Sequence, residues 1–470
     1  MTINPFTLKE LRQLTRAKAI SVSLVSFLFL SVVLAYIIPV SNGISQDTGP
    51  RLFTAIVALL MLMLSVILPA NAFLRLSRER GGKTRTDFAL LTTLPVAGIV
   101  DGKLSGGFAL MVLFTAAALP YAIFSYLLHG IYFSSMANVL LYTLCYSAVL
   151  LHTAILLASL RFSSVLRNIL FGLVFFGAIT ALVPSCIIVQ MELASLDVRI
   201  MCIMIAVTVT YCALARAYTI AFLSPLAMER DCAVKATTFA AIAAWGVYTA
   251  SFAADGRDAY RIATMLWLWT SFAAVVLLAA YSMAQPVGYS RRMLANRPKS
   301  AAMRILRWPF ATGAANTFFF AAVMAALLAA FVPVVSPWIE TRFAKELAGH
   351  GILLPYPDAI ATVAMYIFAM LLFTRAAWRF VARSANVSPL AAPVSALLIV
   401  AVLQTVQRLM DVSGFDLPDW YKYNTIPYNF ADIDLYPAEH LMFSGAAFAL
   451  AALANLPAAF KAFMQQVRKQ

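Results

Sequence analysis

Long, nearly uninterrupted runs of apolar residues recur along this chain, and they constrain its fold more than any other feature of the sequence. The first run, Ala19 to Val40, contains no charged residue. Only a helix satisfies every backbone polar group inside about 30 Å of hydrocarbon, and such a helix needs about 20 apolar residues. The sequence therefore predicts a chain that folds as membrane-spanning helices.

Twelve runs in the 470 residues meet this length criterion. The predicted spans are residues 19–40, 52–74, 105–128, 135–160, 169–191, 200–223, 236–254, 262–283, 308–335, 358–381, 391–410 and 438–460. The composition agrees, since 62% of the residues are hydrophobic and 12% are charged, whereas a soluble domain carries about 25% charged residues. We expect an all-α, polytopic integral membrane protein, and a water-soluble enzyme is excluded.

The distribution of charge predicts the orientation of these spans. The chain has 35 Lys and Arg residues against 20 Asp and Glu residues. If the N-terminus is inside, most basic residues fall on inner segments and most acidic residues on outer loops, as the positive-inside rule requires. This predicts cytoplasmic N- and C-termini in a multi-pass protein of the plasma membrane, the inner membrane of a bacterium. Membrane lipids are expected partners, and nucleic acid is not.

The spacing of the inner loops predicts two domains. The two largest inner loops, residues 75–104 and 284–307, each follow the second span of a six-span block. We expect a first six-span domain over residues 1–223 and a second over residues 224–470. The correspondence is topological, because no residue-level repeat relates the halves.

The sequence gives little support for transport driven by an ion gradient. His152 is the one titratable residue well inside a predicted span, and a lone histidine there more often bonds between helices than relays protons. Arg216, near a span end, can extend its head group to water. The motif Gly82-Lys83-Thr84 resembles a phosphate-binding loop, but Ser77 stands where that loop needs glycine. We expect ATP and magnesium to bind to a separate subunit, with no cofactor in this chain.

Residues 4–20 predict a basic amphipathic helix that lies along the inner headgroups. Asn4 can cap this helix with Pro5 at its first position, and Thr7 with Glu10 offers a second, capping-box start. Apolar residues repeat on one face and basic residues on the other. The predicted interfacial residues are Leu8, Glu10, Leu11 and Arg12.

The inner loop 75–104 contains a second candidate contact segment. Phe88, Leu91 and Leu94 form a short apolar face, which Pro95 ends before the loop residues Ala97 and Gly98. We expect a brief helix below the membrane that fills a groove on a partner. The competing interpretation is a solvated basic segment held near anionic lipid.

These two segments resemble the membrane subunit of an ABC transporter of the type-2 exporter class. Permeases of that class open with a similar NP...KEL helix and carry an E-R...G-T...L-L...P...G-K pattern after the second span. The matching residues here are Glu79, Arg80, Gly82, Thr84, Leu90, Leu91, Pro95, Gly102 and Lys103, with Asp87 near a position where that family tends to place Glu. The resemblance covers residues 4–125 well and the second half hardly at all.

The resemblance implies that this chain is a transport subunit rather than an enzyme. It would couple to a separate ATPase subunit, and the permease would contain either a second chain or the second half of this one. Glu79 and Arg80 would pair with charges on that ATPase. The implied ATPase-coupling residues are Glu79, Arg80, Gly82, Thr84, Asp87, Phe88, Leu91, Leu94, Pro95, Gly102 and Lys103.

Two other classes of function stay open. An integral-membrane enzyme of the lipid-linked glycosyl transferase or ligase kind would use outer carboxylates such as Asp416 and Asp419 as acid and base. A gradient-driven carrier is the other alternative. The histidines and the five cysteines lack metal-ligand spacing, so we expect neither a metal site nor a disulfide framework.

Overall fold

The computed structural model describes a helical protein. It describes residues 5–42, 47–81, 95–160, 164–191, 198–225, 230–251, 258–283, 285 and 300–340, with single positions at 369 and between 446 and 464. Every regular element in this part of the chain is a helix, which confirms the predicted all-α class. The chain divides into two compact units, Met1–Ser224 and Pro225–Gln470.

The first unit contains eight helices among its described residues. They are α1 (Pro5–Thr15), α2 (Lys18–Asn42), α3 (Thr48–Leu62), α4 (Leu68–Gly81), α5 (Val96–Leu127), α6 (Phe133–Ser159), α7 (Ser164–Met191) and α8 (Val198–Leu223). A π-helical turn, Met63–Ile67, joins α3 to α4 in one continuous rod. The α1 helix packs on α5, and α6 packs on both α4 and α8.

The described part of the second unit has fewer helices. They are α9 (Asp231–Ser251), α10 (Asp258–Met283), α11 (Ala301–Arg307) and α12 (Ala314–Glu340), with a short 3₁₀ turn, Trp308–Phe310, between the last two. The α10 helix packs against both α9 and α12.

Several helices are long and apolar enough to cross a membrane, which supports a multi-pass membrane protein. Six such stretches occur in the described residues: Lys18–Ser41, Thr48–Glu79, Val96–Leu127, Phe133–Ser159, Met201–Leu223 and Ala314–Phe331. The predicted spans 358–381 and 391–410 lie outside the described residues, apart from the single position 369, and 438–460 is described at isolated positions only. The total of twelve spans and the orientation of the termini stay predictions.

The inner loop predicted over residues 75–104 is shorter than the hydropathy indicated. The α4 helix continues to Gly81 and α5 begins at Val96, so Ala97, Gly98 and Gly102 are helical and not part of a loop. Pro95 adopts an extended conformation with φ −66° and ψ 145° just before the first turn of α5. A proline is well placed there because the first turn needs no amide donor from it.

Helix α3 approaches the end of α5 closely at Gly49. A Cβ atom at this position would collide with the main-chain carbonyl oxygen of His129 and would lie 2.8 Å from that of Ser125. His129 has a φ of 67° and Gly130 a φ of 86°, so the chain leaves α5 through a left-handed turn. Because backbone atoms and not flexible side chains occupy the space, only glycine fits without a shift of the turn.

We expect Gly49→Ala to lower the free energy of unfolding by about 1 to 3 kcal/mol, the usual cost of overpacking a filled site. Gly172→Ala is the matched control, because nothing lies within 4 Å of a Cβ atom at Gly172 in α7. That control should stabilise its helix by about 0.5 to 1 kcal/mol. Thermal unfolding of the detergent-solubilised chain measures both, and equal midpoints for the two variants would contradict the close approach.

Candidate functional site

The carboxylate of Glu10 on α1 binds cationic side chains of α4 and α5, within the first unit. Only 4% of this residue is exposed, although the helix that carries it is short and charged. Lys103 Nζ of α5 donates to Glu10 Oε1 at 3.0 Å, and Arg75 Nη2 of α4 donates to Glu10 Oε2 at 3.3 Å. Each oxygen of the buried carboxylate therefore has a cationic partner from a different helix.

Two further contacts extend this arrangement. Lys103 Nζ lies 2.8 Å from Glu79 Oε2, so one ammonium group bridges a carboxylate on α1 and one at the end of α4. Arg75 Nη2 also donates to the side-chain oxygen of Gln13 at 3.2 Å. We refer to Glu10, Arg75, Glu79 and Lys103 as the ion cluster. Its two carboxylates and two cations sum to a formal charge of zero.

The close approach of α1 to α5 depends on a small residue beside the ion cluster. A Cβ atom at Gly106 would lie 2.7 Å from Leu14 Cδ1, so α1 reaches α5 at a point without a side chain. Ser105 Oγ donates to Thr7 Oγ1 at 3.3 Å in the same contact. The ion cluster thus lies in a packed joint between helices and not on a free surface.

A cavity of about 40 Å³ adjoins the ion cluster inside the first unit. Its polar end contains Glu10, Arg75 and Lys103, with Asn71 and Ser23 nearby. Its other walls are apolar side chains of the π-helical turn and of α2, α5 and α6. One end of the cavity therefore offers charge and hydrogen bonds, and the rest offers only apolar contact.

A second ion pair links α5 to α8. Arg216 Nε lies 2.5 Å from Asp101 Oδ1, and Arg216 Nη2 lies 2.7 Å from Asp101 Oδ2. The two parallel contacts form the planar, bidentate geometry that favours arginine over lysine. Both side chains are nearly half exposed, at 42% and 45%. The head group of Arg216, expected from the sequence to reach for water, is held by a carboxylate of its own chain.

The structure brings together three of the predicted site residues, which are Glu10, Glu79 and Lys103. Pro95 and Gly102 lie at the start of α5, with Gly102 buried, and Arg80 lies in the last turn of α4. On α1, Leu8 and Arg12 are exposed and Leu11 is partly buried. The remaining predicted coupling residues lie outside the described residues: Gly82, Thr84, Asp87, Phe88, Leu91 and Leu94.

Of the two starts predicted for α1, the structure has the one with Pro5 at the first position. The capping box at Thr7 is not used, because both carboxylate oxygens of Glu10 bind cations of other helices. The prediction for His152 is wrong. His152 was expected to bond between helices, but its Nδ1 atom lies 2.8 Å from the carbonyl oxygen of Ala148 on its own helix. Its ring instead contacts Phe108 of α5, with centroids 5.7 Å apart.

The sequence analysis missed Arg75 and Asp101 as interaction partners. Arg75 and Glu79 are four residues apart on α4, a spacing that places both on one face of a helix. Hydropathy alone hides this signal, because the apolar run ends before Arg75 although α4 continues to Gly81. The pairing of Asp101 with Arg216 has no local signal, since 115 residues separate them.

The second unit contains a buried polar cluster of a different kind. Asp231, at the start of α9, is 0% exposed and accepts hydrogen bonds from Tyr281 Oη at 2.8 Å, the Gly313 amide at 3.1 Å and Thr317 Oγ1 at 3.2 Å. One turn later, Lys235 Nζ donates to the carbonyl oxygens of Pro309 and Ala311 at 2.9 and 2.6 Å. These bonds fix the turn between α11 and α12 against α9. No pattern in the sequence indicated them.

No protein-family model, no curated protein and no solved structure matches this chain. Among the described residues, no group of three or more His, Cys, Asp or Glu side chains could hold a metal ion. Any assignment of function therefore depends on the sequence pattern and on the two polar clusters.

We expect Glu10→Gln to lower the free energy of unfolding by about 2 to 4 kcal/mol, because it removes the buried carboxylate and leaves two cations beside an uncharged amide. Glu79→Gln changes the same chemistry at a side chain that is 34% exposed. This control should cost no more than about 1 kcal/mol. Thermal unfolding in detergent measures the difference, and an equal loss in both variants would show that burial of Glu10 contributes nothing special.

In the second unit, we expect Asp231→Asn to lower the free energy of unfolding by about 3 kcal/mol or more. The substitution keeps the shape of the side chain but removes the buried negative charge near Arg230 and Lys235. Thr237→Val is the control, at a partly buried position of the same helix where the hydroxyl donates only to main-chain oxygens of its own helix. It should change the free energy of unfolding by less than about 1 kcal/mol. Chemical denaturation in mixed micelles measures both. A stability of Asp231→Asn equal to that of the wild type would rule out a dependence of the turn on this charge.

Proposed function

We propose that this chain is the membrane-spanning permease subunit of an ATP-driven exporter of the type-2 ABC class. It would receive the movement of a separate ATPase subunit through residues 82–94. The observation that carries the proposal is the position of the ion cluster. Glu79 and Lys103 pair across the two helix ends that flank residues 82–94, and Lys103 also binds Glu10 of α1.

This geometry suits a mechanical input. A force on residues 82–94 acts on the end of α4 and on the start of α5, because the segment connects them. The shared ammonium group of Lys103 passes the displacement to α1 directly. Along the chain, α1 is connected to α4 only through α2 and α3. A partner can shift a conformational equilibrium only by binding one state more strongly than the other. The joint makes α1, α4 and α5 respond together to such a difference.

The sequence supplies the surface that the partner would contact. Phe88, Leu91 and Leu94 recur at helical spacing, and an apolar helix face fits a hydrophobic groove. In this proposal, Arg80 and Glu79 pair with charges on the ATPase, as the resemblance implies. The contact of Glu79 with Lys103 gives Glu79 a second role in the joint.

The Asp101–Arg216 pair extends the proposed route to α8, whose partner in packing is α6. Asp101 and Lys103 are two residues apart on α5 and so point in different directions from the helix axis. The start of α5 is thereby held to α1 and α4 through one side and to α8 through another. In the proposal, the first turns of α5 distribute the movement through the first unit.

The proposal includes several features that the resemblance implies. The chain is a transport subunit and not an enzyme, ATP and magnesium bind to the ATPase, and the protein lies in the inner membrane of a bacterium with both termini in the cytoplasm. A second permease domain comes from another copy or from residues 224–470. What supports this set is the sequence pattern over residues 4–125, together with the multiple apolar helices.

A gradient-driven carrier is the second candidate, because of one structural observation. Asp231 and Lys235 are fully buried and lie one turn apart at the start of α9. Ionisable groups buried in a membrane protein often belong to ion pathways. Here, however, Lys235 binds backbone oxygens of the turn before α12, and Asp231 binds that turn together with hydroxyl groups of α10 and α12. The cluster is therefore accounted for by holding these elements together. An ATPase partner, tested below, discriminates between the two candidates.

We expect Leu91→Asp to reduce co-purification of ATP-hydrolysing activity with the chain at least about tenfold. A carboxylate in the apolar face is costly to bury in a hydrophobic groove of the partner. Tyr132→Asp is the matched control, because Tyr132 is 78% exposed on the connection at the opposite end of α5. It should retain the activity. Helix content by circular dichroism should be equal in both variants.

Retention of the ATPase by Leu91→Asp would contradict the assignment of residues 82–94. Absence of any ATP-hydrolysing partner from the wild-type chain, isolated in native lipid, would contradict the proposal as a whole and favour the gradient-driven carrier.

A further inference from the structure

The cavity beside the ion cluster is charged at one end and mainly apolar elsewhere, so its lining is complementary to an amphiphile. Charged groups lie only at the end where α1 meets α4 and α5, and most of the other walls are apolar. Those walls include Met63 and Ile67 of the π-helical turn together with Leu110 and Phe114 of α5. An occupant with one polar end and one apolar end would satisfy both parts of this cavity.

Local irregularities of the helices create the space. The π-helical turn inserts an extra residue into the rod from α3 to α4, and such turns frequently occur at functional sites. Gly107 of α5 lines the same cavity, and a Cβ atom there would lie 2.6 Å from Leu151 Cδ2 of α6. A regular helix with a larger residue at Gly107 would fill or close this region. The cavity is therefore specified by the sequence.

The volume restricts the size of the occupant. A cavity of about 40 Å³ has room for roughly three water molecules, at about 10 to 15 Å³ for each. A nucleotide or a sugar does not fit. Water in the deeper part would find few polar partners, and cavities with apolar walls tend to stay dry. A short segment of alkyl chain fits both the volume and the walls.

The charges of the ion cluster restrict the head group. Glu10, Arg75 and Lys103 line the cavity and Glu79 does not, so the polar end of the cavity has a formal charge of +1. Arg75 is the more exposed of the two cations, with 26% of its side chain exposed against 9% for Lys103. A phosphate beside Arg75 would complement this charge.

We infer that this cavity binds one membrane phospholipid, with a segment of one alkyl chain inside it and the phosphate beside Arg75. The lipid would then contact α1, α4 and α5 at the same joint. The inference concerns lipid binding by this chain alone and does not depend on an ATPase.

The test is lipid binding by the full-length chain after delipidation in detergent. Phosphatidylethanolamine is titrated, and bound lipids are counted by native mass spectrometry. Ala72→Leu and Ser23→Leu each add bulk to a residue that lines the cavity. Ala116→Leu, at an exposed position of α5, adds the same bulk elsewhere. Thermal unfolding midpoints establish that each variant is folded. With two lining variants, the test still works if one of them does not fold.

We expect one tightly bound phosphatidylethanolamine in the wild type and in Ala116→Leu, with affinity lowered about tenfold in Ala72→Leu and Ser23→Leu. Equal affinity in all four proteins would overturn the inference, and so would a loss limited to Ala116→Leu. Diacylglycerol, which lacks the phosphate, should bind at least about fivefold more weakly. Equal binding of the two lipids would overturn the contact between the phosphate and Arg75.

Discussion

The first unit depends on the burial of one carboxylate. Taking the charge of Glu10 out of water costs several kcal/mol, and the cost is offset only if cations and hydrogen bonds replace the water. Arg75 and Lys103 meet that requirement from two different helices. Because both must reach one side chain, the positions of α4 and α5 relative to α1 are constrained together. The flanks of residues 82–94 and the polar end of the cavity follow from the same constraint.

Hydrophobicity predicted the helices better than it predicted their ends. Residues 19–40 correspond closely to Lys18–Asn42, but the span predicted from residue 105 belongs to a helix that begins at Val96. Hydropathy reports where a chain contacts lipid, and a helix continues beyond that point if its polar side chains find partners. Asp101 and Lys103 interrupt the apolar run and so suggested a loop. Their ion pairs with other helices explain why the helix continues.

In the candidate site, too, the sequence predicted features that depend on residues close in the chain and missed contacts between residues far apart in it. The pattern from Glu79 to Lys103 placed two members of the ion cluster in a functional segment, since their order along the chain is visible. Glu10 was assigned to a capping box because Thr7 offers a partner three residues away. Its actual partners are 65 and 93 residues distant. Asp231 was overlooked for the same reason, because its partners come from α10 and from the start of α12.

The exposure of the ion pairs suggests which contacts can rearrange. An exposed pair contributes at most about 1 kcal/mol and can break at little cost, whereas a buried charge left without its partner costs about 3 to 5 kcal/mol. Glu10 is therefore a stiff joint between α1 and its neighbours, and the half-exposed Asp101–Arg216 pair is a soft one. In the proposed function, the buried joint would carry displacement to α1, and the exposed pair would let α8 adopt a second position.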